Sequence, residues 1–240
     1  MARDLTPERA ADVLSAGDDH YRAFVGPPGR YDLIGASQFS LLFLLGLRDH
    51  HRLLDFGCGS LRLGRMAIPY LREDRYFGVE PEAWLVDEGF KRELGETARG
   101  LKRPRFDHNR DCRVDMFGTR FDFIMAQSVF SHMNPAMARM TLENFRPVLE
   151  SGGLVVLNWL LGEPVATEDT PQWVYPGCVP YRPEDVIDLA ADVGMAGRRV
   201  QWFHPGLSWF VLAHSEDQLP ESGLLDALDL APRAHPTPGT

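Results

Sequence analysis

The stretch Leu53-Leu54-Asp55-Phe56-Gly57-Cys58-Gly59-Ser60 constrains the fold more than any other part of the chain. A short apolar run leads to an acid and then to two glycines one residue apart, followed by a helix-competent segment from Leu61 to Leu71. This is the order of a strand, a tight turn and a helix N-terminus, where backbone N–H groups face a ligand. Glycine is needed at such a turn because a Cβ blocks either the turn or the close approach of a bound group.

The chain downstream repeats that unit. Strands are expected at 52–56, 75–79, 104–108, 121–126 and 153–159, with helices at 62–72, 82–94 and 135–149 between them. Alternation of this kind makes a parallel sheet. The runs Phe123-Ile124-Met125-Ala126 and Leu154-Val155-Val156-Leu157 are apolar throughout, as strands covered on both faces require. A helix over 183–193, closed by Gly194, leads to strand-like runs at Arg198–Phe203 and Ser208–Ala213. Only His204-Pro205-Gly206-Leu207 separates these runs, so they must be antiparallel, because a parallel return needs about a dozen residues.

The expected architecture is therefore α/β, with a Rossmann-like, seven-stranded, mostly parallel sheet ending in an antiparallel hairpin. Ahead of it, Thr6 as N-cap, Pro7 and Glu8 open a helix over 6–16, and a second helix is expected over 35–47. We divide the chain into a helical N-terminal cap (1–47), a core (48–214) and an acidic, proline-containing tail (215–240), with an amphipathic scrap at Leu224–Leu230. Within the core, residues 162–180 carry four prolines and no period, the mark of a long functional loop.

Composition narrows the partners. A formal charge of −9 argues against nucleic acid, whose phosphates need a basic face. The three cysteines (Cys58, Cys112, Cys178) form no C-x-x-C pair, so no metal and no disulfide framework is implied. The longest apolar stretch, Phe39–Leu47, is shorter than the ~20 residues a membrane span needs. The first residues lack a signal-peptide pattern, and a cytoplasmic monomer or homodimer without a membrane partner is expected.

Four segments in order resemble the class I S-adenosylmethionine-dependent methyltransferases of small-molecule type, over roughly residues 30–214. Asp55-Phe56-Gly57-Cys58-Gly59 is similar to the family's first motif, and Tyr76-Phe77-Gly78-Val79-Glu80-Pro81 to its second. Phe121-Asp122-Phe123-Ile124-Met125-Ala126-Gln127-Ser128 resembles its strand 4 motif, and Leu149-Glu150-Ser151-Gly152-Gly153 the turn into strand 5. The segment Ser60-Leu61-Arg62-Leu63-Gly64 departs from the usual glycine-rich turn, and no Asn/Asp-Pro-Pro-Tyr motif follows strand 4, which disfavours N-methylation of nucleic acid or protein.

The resemblance implies S-adenosylmethionine as cofactor, S-adenosylhomocysteine as product, and methyl transfer to an O, N or C nucleophile of a small molecule. Natural-product or sugar biosynthesis is the expected setting. Glu80 would accept both ribose hydroxyls, beside Pro81. Asp55, Gly57, Cys58 and Gly59 would surround the methionine end. Arg62 would face its carboxylate or else lie on the surface. Trp84 would cover the adenine, Asn109 and Asp111 would meet its amino group, and Gln127 and Ser128 would close the site. His132, at the carboxyl edge of the sheet, is the candidate general base, with His204 a weaker second. Tyr31, Trp159, Tyr175, Tyr181 and Trp202 are candidates for the acceptor pocket.

Two rivals remain. A protein of this fold can bind the cofactor without methyl transfer, as a cyclase, an isomerase or a regulatory module. A nicotinamide oxidoreductase shares the glycine turn and the acid, but here the third glycine, Gly64, comes five residues after Gly59 and the terminal hairpin fits that class poorly.

Overall fold

The computed structural model describes residues 2–164, 170–221 and 223–224. Of the expected tail, residues 225–240 and most of the Leu224–Leu230 segment lie outside the described residues, as do 165–169 of the long loop.

The elements run α1 (Pro7–Val13), α2 (Tyr31–Leu44), β1 (Leu53–Phe56), α3 (Gly64–Tyr70), β2 (Tyr76–Val79), α4 (Ala83–Gly89), α5 (Glu96–Lys102) and β3 (Arg105–Asp107). They continue with β4 (Phe121–Ala126), α6 (Pro135–Phe145), β5 (Leu149–Leu161), β6 (Pro180–Tyr181), α7 (Pro183–Asp192), β7 (Ala196–Val200) and β8 (Ser208–Ala213). Seven strands form one sheet in the order β3-β2-β1-β4-β5-β8-β7, and the two-residue β6 pairs beside the end of β5. Only β8 runs against its neighbours, pairing antiparallel with both β5 and β7. The expected parallel sheet with a terminal antiparallel hairpin is what the chain forms.

The period-two rule explains how the sheet is held. On β5, Val155 and Leu157 join Leu54, Phe56, Ile124, Phe210 and Leu212 in a core under α6 and α7. Alternate residues Leu154 and Val156 join Leu53, Phe123, Met125, Trp209 and Val211 in a second core under α2 and α3. Strands with both faces covered must be apolar throughout, as these are.

Several boundaries differ from the expectation, each for a local reason. The helix predicted over 62–72 begins only at Gly64, because Leu61 adopts a left-handed φ of 62°. The ligand-facing element after β1 is thus a turn and not a helix terminus. α1 stops at Val13, where Leu14 turns extended, and α2 starts at Tyr31, fed by a 3-10 turn over Pro28–Arg30. α6 ends at Phe145, since Pro147 cannot donate to the helical ladder. β5 runs through Gly152-Gly153, with a register shift against β4 between Phe121 and Phe123. α5 was not foreseen: it buries none of its residues and so carries no apolar stripe. β7 lies at 196–200 and not 198–203, and Trp202 turns aside to donate its indole N–H to Ser37 Oγ at 2.9 Å.

Candidate active site

The carboxyl ends of β1, β2 and β4, with the loops that follow β3 and β5, open onto one cavity of about 580 Å³. This is where ligands bind in open α/β sheets. At its floor the β1 turn needs glycine twice. Gly57 has φ 75° and Gly59 φ 53°, and a Cβ on either would lie 2.5 Å from a valine methyl, that of Val129 or Val25. The turn is pinned from β2, as Gly57 N and Cys58 N donate to the Val79 carbonyl at 2.8 and 3.1 Å.

Glu80 follows β2 directly. One carboxylate oxygen accepts from Gly59 N at 3.0 Å and the other from Glu82 N at 2.9 Å. Burial pushes this carboxyl up to about 7, against those two hydrogen bonds. It therefore titrates near neutrality at the cavity wall.

Arg62 is the least expected feature. Its side chain is buried on the cavity wall, and no carboxylate lies within ion-pair distance of it among the described residues. One Nη donates to the Val25 carbonyl at 2.7 Å and the other to Gln127 Oε1, while Nε has no partner. Burial lowers its pKa to about 10, so it remains a cation. A buried cation without an acid is costly, and an anion supplied by a ligand would offset that cost.

Gln127 and Ser128 follow β4 on the wall, with Ser128 in the left-handed region (φ 56°) and its N–H donating to Asn158 Oδ1 at 2.8 Å. A non-glycine residue held there is strained, a cost commonly met at binding sites. Gln38 of α2 donates to Gln127 Oε1 at 2.9 Å, and Gln127 Nε2 lies 3.1 Å from His204 Nε2. Gly206 N and Leu207 N donate to His204 Nδ1, and burial lowers its pKa to about 4, so the ring is neutral.

His132 lies on the wall beyond β4. Its Nδ1 sits 2.5 Å from the Gly177 carbonyl, which can only accept, so Nδ1 carries the proton and Nε2 keeps its lone pair. Burial lowers its pKa, so the ring is a neutral base at pH 7. Tyr175 stands edge-on to it, with ring centroids 4.9 Å apart.

The remaining expected site residues divide by place. Pro81 and Asn109 line the cavity near Glu80. Several others do not line it. Asp55 is buried beside the turn, accepting from the Tyr76 hydroxyl at 2.6 Å, and burial raises it to about 6. Cys58 is buried behind the same turn. Trp84 packs edge-on against Phe24, at 5.5 Å, and carries Arg3 over its ring. Asp111 is exposed and accepts from Arg113 N.

Of the five aromatic residues expected at the acceptor pocket, only Tyr175 is on the wall. Tyr31 donates to the Ser60 carbonyl at 2.8 Å and so braces the turn from outside. Trp159 is fully buried against Phe130 and Tyr181, and Tyr181 donates to the Met133 carbonyl. Trp202 is held by Ser37. Sequence reasoning placed these four by their position in the N-terminal cap, at the end of the fifth strand, by the long loop and in the last hairpin, but none of their side chains lines the cavity.

The wall also holds residues the sequence did not single out, notably Val25, Met133, Trp173 and Cys178. Trp173 sits in the proline-rich segment already marked as a functional loop, which was the one available signal.

Residues 54–155 match the model of a family described as a methyltransferase domain. Solved structures of similar fold include magnesium protoporphyrin IX methyltransferase from Synechocystis PCC 6803 with bound SAM. It is 14% identical, with a TM-score of 0.58 over 78% of this chain and 81% of that one. CalS10, an amino pentose methyltransferase from Micromonospora echinaspora, is 18% identical with a TM-score of 0.56, over 77% of this chain and 92% of that one. The glycopeptide N-methyltransferase MtfA, complexed with S-adenosylhomocysteine, is 15% identical with a TM-score of 0.56, over 75% and 89%. No helix among the described residues is long and apolar enough to cross a membrane. The matched segment spans the glycine turn, Glu80 and His132, and the sheet order is that of the class I, Rossmann-like methyltransferase fold.

Proposed function

We propose that this protein transfers a methyl group from S-adenosylmethionine to an O, N or C nucleophile of a small molecule, in natural-product or sugar biosynthesis. The observation that carries the reading is that one cavity brings together the Gly57–Gly59 turn, the Glu80 carboxylate and the buried, unpaired Arg62. Those groups suit the three polar parts of the cofactor. Glu80 suits the ribose diol, the turn gives the close approach, and Arg62 suits the methionine carboxylate. The terminal hairpin and the spacing to Gly64 do not suit a nicotinamide cofactor.

When bound, the sulfonium supplies an electrophilic methyl group. The chain itself has to hold donor and acceptor in line and exclude water. Residues 24–27 line the cavity beside the turn, and Tyr175 donates to the Phe24 carbonyl, so the N-terminal segment and the 170–180 loop meet over the site. His132 Nε2 is the group placed to take a proton from the attacking atom.

Calorimetric titration with S-adenosylhomocysteine and with NADH tests the cofactor. Micromolar binding of the first and none of the second is expected. Turnover without any S-adenosylhomocysteine formed, across a panel of acceptors, would instead favour a cyclase, isomerase or regulatory module.

A further inference from the structure

Trp173 is a large apolar side chain left 45% exposed, yet its loop is firmly held. Val174 N donates to the His132 carbonyl at 3.0 Å, Val179 N to that of Ser131 at 2.7 Å, and Asn134 N to that of Gln172 at 3.0 Å. Trp173 also forms an antiparallel bridge with Met133. A rigid aromatic residue kept exposed at a cavity wall is pre-organised contact surface, because no ordering entropy is lost when something covers it.

Its neighbours extend that surface. The Trp173 and Tyr175 rings are near parallel, at 27° with centroids 6.3 Å apart, and the His132 ring lies 5.5 Å from Trp173. His132 follows β4 and Trp173 follows β5, whereas Glu80 follows β2, with β1 between β2 and β4 in the sheet; Tyr175 reaches back toward the N-terminal segment through Phe24. The only carboxylates on the described wall are Glu80 and Glu82, both at the β2 end. Among the described wall residues no carboxylate belonging to the loops after β4 and β5 is present to pair with an ammonium group, while the Nε2 lone pair of His132 can accept a proton from a hydroxyl.

From this, and resting on the cofactor reading above, we infer that Trp173, Tyr175 and His132 form an acceptor subsite for a flat, neutral aromatic ring bearing a hydroxyl group. The rings stack on Trp173 and Tyr175 and the hydroxyl meets His132. In the step, His132 Nε2 takes the hydroxyl proton and the oxygen lone pair forms the O–C bond to the methyl. The C–S bond breaks with its pair going to sulfur, leaving neutral S-adenosylhomocysteine and an aryl methyl ether; His132 then returns its proton to water.

The test is calorimetry on the full chain, first with S-adenosylhomocysteine and then, on the saturated protein, with 2-naphthol, decahydro-2-naphthol and benzylamine. 2-Naphthol should bind about tenfold more tightly than either of the others. Trp173→Ala should abolish that preference with S-adenosylhomocysteine affinity kept within about twofold, and Trp173→Phe should retain it. Equal affinities, no detectable 2-naphthol binding at millimolar concentration, or a preference that survives Trp173→Ala would overturn the subsite. Absence of S-adenosylhomocysteine binding in the first titration would overturn the cofactor reading and the acceptor role together.

Discussion

The two ends of the cavity are built differently. The β2 end is regular: a turn and an acid at adjacent strand tips, fixed to each other by backbone hydrogen bonds from Gly57, Cys58 and Gly59. The aromatic end is irregular, made from a loop after β4 and a loop after β5 that hold each other through Val174, Val179 and Asn134. Sheet geometry dictates the first, and its polar groups suit an invariant donor. Only loop sequence dictates the second, so it is where an acceptor can be specified without disturbing the fold.

If the ends divide the work, chemistry and cofactor affinity should separate on mutation. His132→Gln tests the aromatic end and should have the largest effect. Loss of a positioned base lowers kcat by about 10²–10⁴-fold. Cofactor affinity should stay within about twofold, since His132 lies away from the turn. At saturating cofactor, the wild-type kcat should keep its acid limb below the ordinary histidine range. Burial lowers the His132 pKa, so the neutral base persists to lower pH. An unchanged kcat in the variant would remove His132 from the chemistry.

Arg62→Met tests the other end. It keeps an apolar stem but removes the cation, and should weaken S-adenosylhomocysteine by roughly 1.5–3 kcal/mol, about 10–150-fold. The buried cation has no acid partner among the described residues, so its loss should move the thermal midpoint by no more than about 3 °C. A large drop in thermal midpoint with unaltered affinity would make Arg62 a structural residue and break the comparison.

The same division governs what could be read from the sequence. Gly57, Gly59 and Glu80 were legible because a strand tip and a left-handed turn restrict residue type at fixed spacing. Arg62 stayed ambiguous, as its direction depends on Leu61 entering the left-handed region and delaying the helix to Gly64. At the aromatic end, Trp159, Tyr181 and Trp202 were plausible by position, but their side chains do not line the cavity. No periodicity tells which way a ring points at the end of a strand or in a loop. Trp173 carried no signal beyond its place in a proline-rich segment.

A smaller effect comes from pH. With its carboxyl raised to about 7, Glu80 loses its charge as pH falls through neutrality, and with it the ability to accept from both ribose hydroxyls. Ionisation drops from roughly nine-tenths at pH 8 to one-tenth at pH 6, so S-adenosylhomocysteine affinity should fall about tenfold across that range. Glu80→Gln, whose amide does not titrate, should bind weakly at both pH values and lose the dependence. A dependence that persists in the variant would assign it to another group.

The smallest effect is expected where the two ends touch. Tyr175 presents its ring to His132 and its hydroxyl to the Phe24 carbonyl, next to the Val25 carbonyl that Arg62 holds. Tyr175→Phe keeps the ring and deletes only that tie. One neutral hydrogen bond is worth on the order of 1 kcal/mol net, or about fivefold. The loss should appear as faster S-adenosylhomocysteine dissociation in stopped-flow displacement, because the tie joins the segments over the cofactor end. Binding of 2-naphthol to the saturated protein should not change, since the stacking surface is intact. If instead the variant released the cofactor at the wild-type rate but bound 2-naphthol less well, the hydroxyl would belong to the acceptor subsite. The boundary between the two ends would then lie on the cofactor side of Tyr175.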